Sequence, residues 1–271
     1  MASTPTPRSH PEHRFDAATA AARTESQDRS EEGESATASA PLLDVQLVVI
    51  AKAPVAGKVK TRLCPPCTPE EAALIAESAL RDTLAAVAGT PARRHVLAVD
   101  GEPGAWLPNG FDVIHQRGAG LDERLANAFD DCFAHSPGPV VIVGMDTPQL
   151  HSSDLLAAAT VLQTEAPLSQ ETPGGRAVLG PAEDGGYWLI GLDRHLPTAI
   201  RGVPMSEPHT GRAQADRLIG LGYAIQQLRP LLDVDAYPDA QRVAGALPES
   251  QFASAVDAVQ RRIANLGPAL R

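Results

Sequence analysis

Positive charge is what this chain most lacks. Its 33 acidic side chains outnumber 23 Lys and Arg, for a formal net charge of -10 over 271 residues. A general nucleic-acid binder would carry a basic face or stripe, so that class is excluded. A phosphate-bearing ligand is not excluded, because a local Lys/Arg cluster can reverse the field inside one pocket. Long apolar runs are missing too. The longest are short blocks such as Leu47 to Ala51 and Val140 to Val143, well below the ~18 residues that a membrane-spanning helix requires. Cysteine is scarce: three residues, an odd number, make no disulfide framework. Cys64 and Cys67 form a C-x-x-C, but one such pair is a poor zinc site and Pro65-Pro66 stiffens the loop. They are expected to be two loop thiols without a joint role. The first forty residues are rich in Ala, Ser, Thr, Glu and Arg and lack the apolar core of a secretory signal. Residues 1–40 are therefore expected to be a disordered tail, or an over-extended start of translation. Residues 41–271 are expected to be one domain in the cytoplasm.

What is present is an ordinary soluble balance, 43% hydrophobic and 21% charged, at a length that suits one large α/β domain. Short Val/Ile/Leu-rich blocks predict strands at Val45 to Ala51, His95 to Val99, Phe111 to His115, Val140 to Gly144 and Tyr187 to Leu192. A helix follows the first of them. Thr68 is its N-cap, Pro69 its first residue and Glu71 the partner in a capping box. Ala72, Ile75, Ala79, Leu80, Leu84 and Val87 recur at helical spacing up to Gly89. Further helices are expected from Leu121 through Phe133, from Ser152 or Ser153 through Leu162, and from Arg212 to Leu221 before Gly222. This alternation implies a mainly parallel sheet covered on both faces. Ligands bind such sheets at the carboxyl ends of the strands.

The chemistry-bearing residues follow those ends. After the first strand, Lys52, Lys58, Lys60 and Arg62 fall close together around Gly57. Gly permits close backbone approach and the cations supply charge for a polyphosphate. This is not a Walker A loop, because the G-x-x-x-x-G-K-[ST] spacing is absent. The fourth strand ends in Gly144-Met145-Asp146-Thr147-Pro148. A carboxylate at a strand tip suits Mg²⁺, which takes one or two protein carboxylates and completes its shell with phosphate and water. Leu231-Leu232-Asp233-Val234-Asp235 offers a second carboxylate for the same metal. Gly118 and Gly120 open a helix and allow contact with a base or ribose. In Gly180 to Gly191, Glu183 and Asp184 are candidates to orient an acceptor or act as base, and Gly185-Gly186 to line a pocket floor. His209 is read as a solvated surface histidine, with metal or acceptor contact in reserve.

Together, A-K-x-P-x-x-G-x-x-K-T-R-L, G-x-D-x-P, G-P-A-x-D-G-G-Y-x-L-I-G-L and the late D-V-D resemble one family over roughly Leu43 to Val243. It is an uncharacterised transferase family of the GT-A nucleotide-diphospho-sugar transferase superfamily, labelled a glycosyltransferase and linked to arsenosugar biosynthesis. The chain is more distantly similar to 2-phospholactate guanylyltransferase and sugar-acid cytidylyltransferases. The resemblance implies a three-layer α/β/α GT-A (Rossmann-like) fold with a mainly parallel mixed sheet. It implies that Lys52, Lys58, Lys60 and Arg62 hold a triphosphate, that Asp146 and Asp235 carry Mg²⁺ or Mn²⁺, and that Gly118 and Gly120 sit near the base. The expected function is a metal-dependent nucleotidyltransferase. It would join a nucleoside monophosphate from a nucleoside triphosphate to a small anionic acceptor, with pyrophosphate released. Glycosyl transfer from a nucleotide-sugar is the alternative. No nucleic-acid or membrane partner is expected, and a homodimer is allowed.

Overall fold

The computed structural model describes residues 42–164 and 174–265. The expected N-terminal tail lies outside the described residues. By contacts the chain divides into Met1–Ser39 and Ala40–Arg271, and every described residue belongs to the second unit.

Among the described residues, seven strands form one sheet: β1 (Leu43–Lys52), β2 (Ala92–Asp100), β3 (Phe111–His115), β4 (Val140–Gly144), β5 (Gly175–Pro181), β6 (Tyr187–Leu192) and β7 (Tyr223–Gln227). Their spatial order is β3-β2-β1-β4-β6-β5-β7. Only β6 runs against its neighbours, pairing antiparallel with both β4 and β5. The sheet is thus mainly parallel and mixed. The described residues also form six α-helices: α1 (Pro69–Ala88), α2 (Leu121–His135), α3 (Ser152–Leu162), α4 (Thr210–Gly220), α5 (Tyr237–Ala246) and α6 (Gln251–Asn265).

Strand alternation builds the layers. Val45, Leu47, Val49 and Ala51 of β1 pack with residues of α1 and α3 on one face. Val48, with Val96 and Ala98 of β2, packs with α2 and Leu218 of α4 on the other. The far flank of α1, through Ala72, Ile75 and Ala79, buries against α5 and α6. Those last helices seal α1 without touching the sheet's centre.

The α1 signals are realised in full: Thr68 Oγ1 accepts the Glu71 N–H at 3.3 Å, and Glu71 Oε2 accepts the Thr68 N–H at 2.8 Å. Gly89 does cap the helix, but with φ -74 rather than a left-handed conformation. β3, β4 and β6 have the expected bounds, whereas β1 and β2 extend further at both ends. α4 starts and stops earlier than expected because Thr210 already opens it, its Oγ1 accepting the Glu207 N–H at 3.1 Å. β5, β7, α5 and α6 were not anticipated. Among the described residues, no helix is long and apolar enough to cross a membrane.

Candidate active site

β1 sits between β2 and β4, at the point where successive parallel strands fan out in opposite directions, so a crevice opens beyond their carboxyl ends. The loop after β1 enters that crevice between two apolar anchors. Val59 belongs to the core under α1, and Leu63 is buried against α5 and α6. Lys60 lies between them in a left-handed backbone conformation, φ 48, rarely adopted by a residue with a side chain. A 3₁₀ turn, Thr61–Leu63, follows directly.

Lys60 is driven inward, with a side chain only 9% exposed. Its Nζ lies 2.6 Å from Asp146 Oδ1 and 3.9 Å from Asp235 Oδ1, and it donates to the Val234 carbonyl. Arg62 Nη1 reaches Asp235 Oδ2 at 3.2 Å. Asp146 at the tip of β4 and Asp235 after β7 are therefore joined through one ammonium. The backbone supports the pairing: the Val234 N–H donates to the Asp146 carbonyl at 3.0 Å, and Gln149 Nε2 to that of Leu232 at 3.0 Å. On the other side Leu231 bridges to Ala182, and the Glu183 N–H donates to the Leu231 carbonyl at 2.9 Å. The segment after β7 is thereby clamped between the β4 tip and the β5–β6 turn.

Two cavities adjoin across Asp146. The smaller, about 250 Å³, is lined by Lys52, Lys58, Lys60 and Arg62 together with Asp146 and Asp235. The larger, about 600 Å³, shares Lys52, Arg62, Met145, Asp146 and Asp235 with it and continues to α2, β6 and the loop before α4. Lys52 and Lys58 are exposed and make no ion pair among the described residues. Asp184 is also exposed; its Oδ1 accepts the Gly186 N–H at 2.8 Å, and both residues line the larger cavity.

Gly57, Gly118, Gly120 and Gly185 line neither cavity. Gly185, at φ 92, has its place for a steric reason: a Cβ there would lie 1.9 Å from the Pro208 carbonyl oxygen. Its own carbonyl accepts the Gly211 N–H at 2.8 Å, tying the turn to the start of α4. Gly118, at φ 120, lets the chain pass Glu123, whose Cβ a side chain would meet at 2.6 Å. That tight passage presents Gln116 and Arg124 instead, and both line the larger cavity. Gln116 spends both amide hydrogens on the Ala51 and Ala98 carbonyls, at 2.8 and 2.9 Å, and Arg124 Nη1 pairs with Asp100 at 2.8 Å. Neither residue carries a signal in sequence, because each is positioned by strands distant along the chain.

Asp233 is a lining residue that its place beside Asp235 foreshadowed. Burial first, then the negative charge of Asp146 and Asp184, pushes its carboxyl up to about 7, against the pull of Lys60. The two loop cysteines are free thiols. Burial raises both, Cys67 to about 11, so neither is an activated thiolate. His209 pairs with Glu207 at 3.0 Å on the surface, outside both cavities.

This architecture is the GT-A type found in nucleotide-diphospho-sugar transferases. A protein from Desulfovibrio desulfuricans G20, described as a candidate nucleotide-diphospho-sugar transferase, superposes with a TM-score of 0.70 at 24% identity. The match covers 80% of this chain and 97% of that one. CMP:2-keto-3-deoxy-manno-octonic acid synthetase complexed with CTP matches at a TM-score of 0.47 and 10% identity, over 76% of this chain and 99% of the other. The 2-C-methyl-D-erythritol 4-phosphate cytidylyltransferase of Thermus thermophilus gives 0.43 at 16%, over 81% and 100%. Residues 75–207 match the family described as "Uncharacterized protein conserved in bacteria (DUF2064)". That span holds Asp146 and Asp184 and stops short of the basic loop and the Asp233–Asp235 segment. No curated protein matches the sequence.

Proposed function

We propose that the chain is a metal-dependent nucleotidyltransferase, joining a nucleoside monophosphate from a nucleoside triphosphate to a small acceptor with release of pyrophosphate. One observation carries the reading: a cavity of about 250 Å³ is lined by Lys52, Lys58, Lys60 and Arg62 together with the Asp146–Asp235 pair, and it adjoins a second large enough for a nucleoside and an acceptor. Lys52 and Lys58 are free to bind a triphosphate, and Arg62 can reach it from the rim. The chemistry needs little beyond such positioning and charge neutralisation.

The donor set fits a hard divalent cation. Asp146 and Asp235 are 41% and 47% exposed at their side chains, and both already converge on one positive charge, the Lys60 ammonium. Two carboxylates, with the remaining shell left to phosphate and water, suit Mg²⁺ or Mn²⁺. Among the described residues no group of three or more His, Cys, Asp or Glu is arranged to hold a metal by protein ligands alone. Such a metal would neutralise charge developing on the phosphates. Lys60 keeps the two carboxylates together and stays at hand to contact a phosphate oxygen. Asp184, in the lining of the larger cavity, is the candidate to take a proton from the acceptor.

Glycosyl transfer from a nucleotide-sugar is the second reading, favoured by the description of the Desulfovibrio protein. Against it stands Gly144, where a second acid would complete a D-x-D. A Cβ there would meet nothing within 4 Å, so no close contact of the backbone demands glycine at this position. Product analysis separates the two: pyrophosphate release supports nucleotidyl transfer, and nucleoside diphosphate release supports glycosyl transfer. A thermal-shift panel of triphosphates and nucleotide-sugars with Mg²⁺ comes first, since a ligand at about 100 times its Kd adds ~2.7 kcal/mol.

A further inference from the structure

The larger cavity changes sign across the sheet. From β1, its following loop and α2 come Lys52, Arg62 and Arg124; from the β5–β6 turn and the loop before α4 come Asp184 and Glu207. Asp233, after β7, adds a third acid, beyond Asp146 and Asp235 at the divide. Among the described residues, no Lys, Arg or His lines the second side. Outside the cavity, His209 pairs with Glu207 at 3.0 Å and Arg242 with Glu183 at 3.1 Å. The other lining there is uncharged and includes Tyr187, Met205, Ser206 and Thr210.

A phosphate or carboxylate placed on this side would face Asp184, which makes no ion pair among the described residues, and Glu207, offset only by His209 from outside the cavity. Carboxylates only accept hydrogen bonds, so they select a ligand that donates them, and hydroxyl groups do so without carrying charge. We propose that the acceptor is an uncharged polyol, such as a sugar, with hydroxyls that donate to Asp184 and Glu207. This rests on the nucleotidyl-transfer reading and replaces the anionic acceptor expected from the sequence. In the step, the acceptor hydroxyl oxygen forms a bond to the α-phosphorus. The bond from that phosphorus to the oxygen bridging to the β-phosphorus breaks, and pyrophosphate leaves. The hydroxyl proton passes to Asp184 Oδ2, which makes no hydrogen bond among the described residues, and then to water.

The test uses the full chain with Mg²⁺ and each of ATP, CTP, GTP and UTP, reading pyrophosphate release. The acceptors are glycerol and glucose, their phosphate esters glycerol 3-phosphate and glucose 6-phosphate, and glucosamine. The neutral compounds are expected to stimulate release at least ~10-fold more than their esters. Equal or better stimulation by the esters, stimulation by glucosamine alone, or none by either neutral compound while a triphosphate still binds, overturns the acceptor class. Failure of all four triphosphates to bind removes the nucleotidyl-transfer reading itself. Glu207→Lys, at an exposed position, is expected to raise the KM of the neutral acceptor about tenfold and to improve use of the ester, with the nucleotide KM within about twofold of wild type. An unchanged acceptor preference in this variant also counts against the proposal.

Discussion

Two aspartates of one strand–helix unit meet opposite fates. Asp154, in the first turn of α3, has a side chain 9% exposed and is saturated. It accepts from Arg229 Nε at 2.7 Å, from Arg229 Nη2 at 2.8 Å and from the His151 N–H at 3.0 Å. Burial alone would raise its pKa, but the guanidinium and the N–H outweigh burial and hold it below the ordinary value. Asp146, at the tip of β4, is 41% exposed and meets one ammonium that it shares with Asp235. Both carboxylates tie distant segments together, yet only Asp146 stays accessible to a ligand. A buried ion pair closes its own charge, whereas a half-exposed carboxylate at a strand tip stays open to a ligand.

Exchanging these roles by mutation is the sharpest way to break the comparison. Asp146→Ala is expected to lower turnover by ~10²–10³ or more, with a melting temperature close to wild type because Lys60 keeps Val234 and Asp235 as partners. Wild-type-like turnover in this variant sinks the role proposed for Asp146. Lys58→Ala, which removes an exposed cation that makes no ion pair among the described residues, is expected to raise the KM for the triphosphate about tenfold or more in steady-state assays. Lys60→Gln separates the counter-ion from the ligand. Without nucleotide it is expected to bind Mn²⁺ about tenfold more tightly, followed by electron paramagnetic resonance, because the ammonium no longer competes for Asp146. Weaker Mn²⁺ binding would mean that Lys60 is needed to shape the site.

How much of this was legible in the sequence differs between the two aspartates for a physical reason. Asp146 follows a strand readable from Val140-Val141-Ile142-Val143, so its place at a carboxyl edge follows from local pattern and the sheet rule. The capping box of α1 is likewise local. Asp154 reads as an ordinary first-turn acid, since its partner Arg229 arrives from beyond β7, a strand whose Tyr-Ala-Ile-Gln-Gln lacks a strong apolar signature. Gln116, Arg124 and Glu207 were hidden in the same way, set by packing between segments far apart in sequence. The inward turn of Lys60 was also unreadable, because it depends on Val59 and Leu63 being buried in separate cores. A row of lysines in sequence therefore looked like one phosphate clamp, while in space one of them faces the carboxylates.

Asp154→Asn supplies the converse and smallest effect. It is expected to leave turnover unchanged well below the melting temperature while costing about 1.5 kcal/mol in urea denaturation, a modest figure because Arg229 is partly exposed. Its pH dependence identifies the cause. A carboxylate with a folded pKa below its unfolded value of about 3.9 stabilises fully above that value, and the contribution is lost as pH falls through the folded one. The stability gap between wild type and Asp154→Asn should thus stay constant above about pH 5 and narrow below about pH 4. Asp233 titrates in the opposite sense, its raised carboxyl making the native state the better proton binder up to about 7. Both proteins contain Asp233, so its contribution cancels in the difference. A gap that persists undiminished into acid would assign the loss to packing around α3 and not to the charge of Asp154, and the contrast with Asp146 would then be one of burial alone.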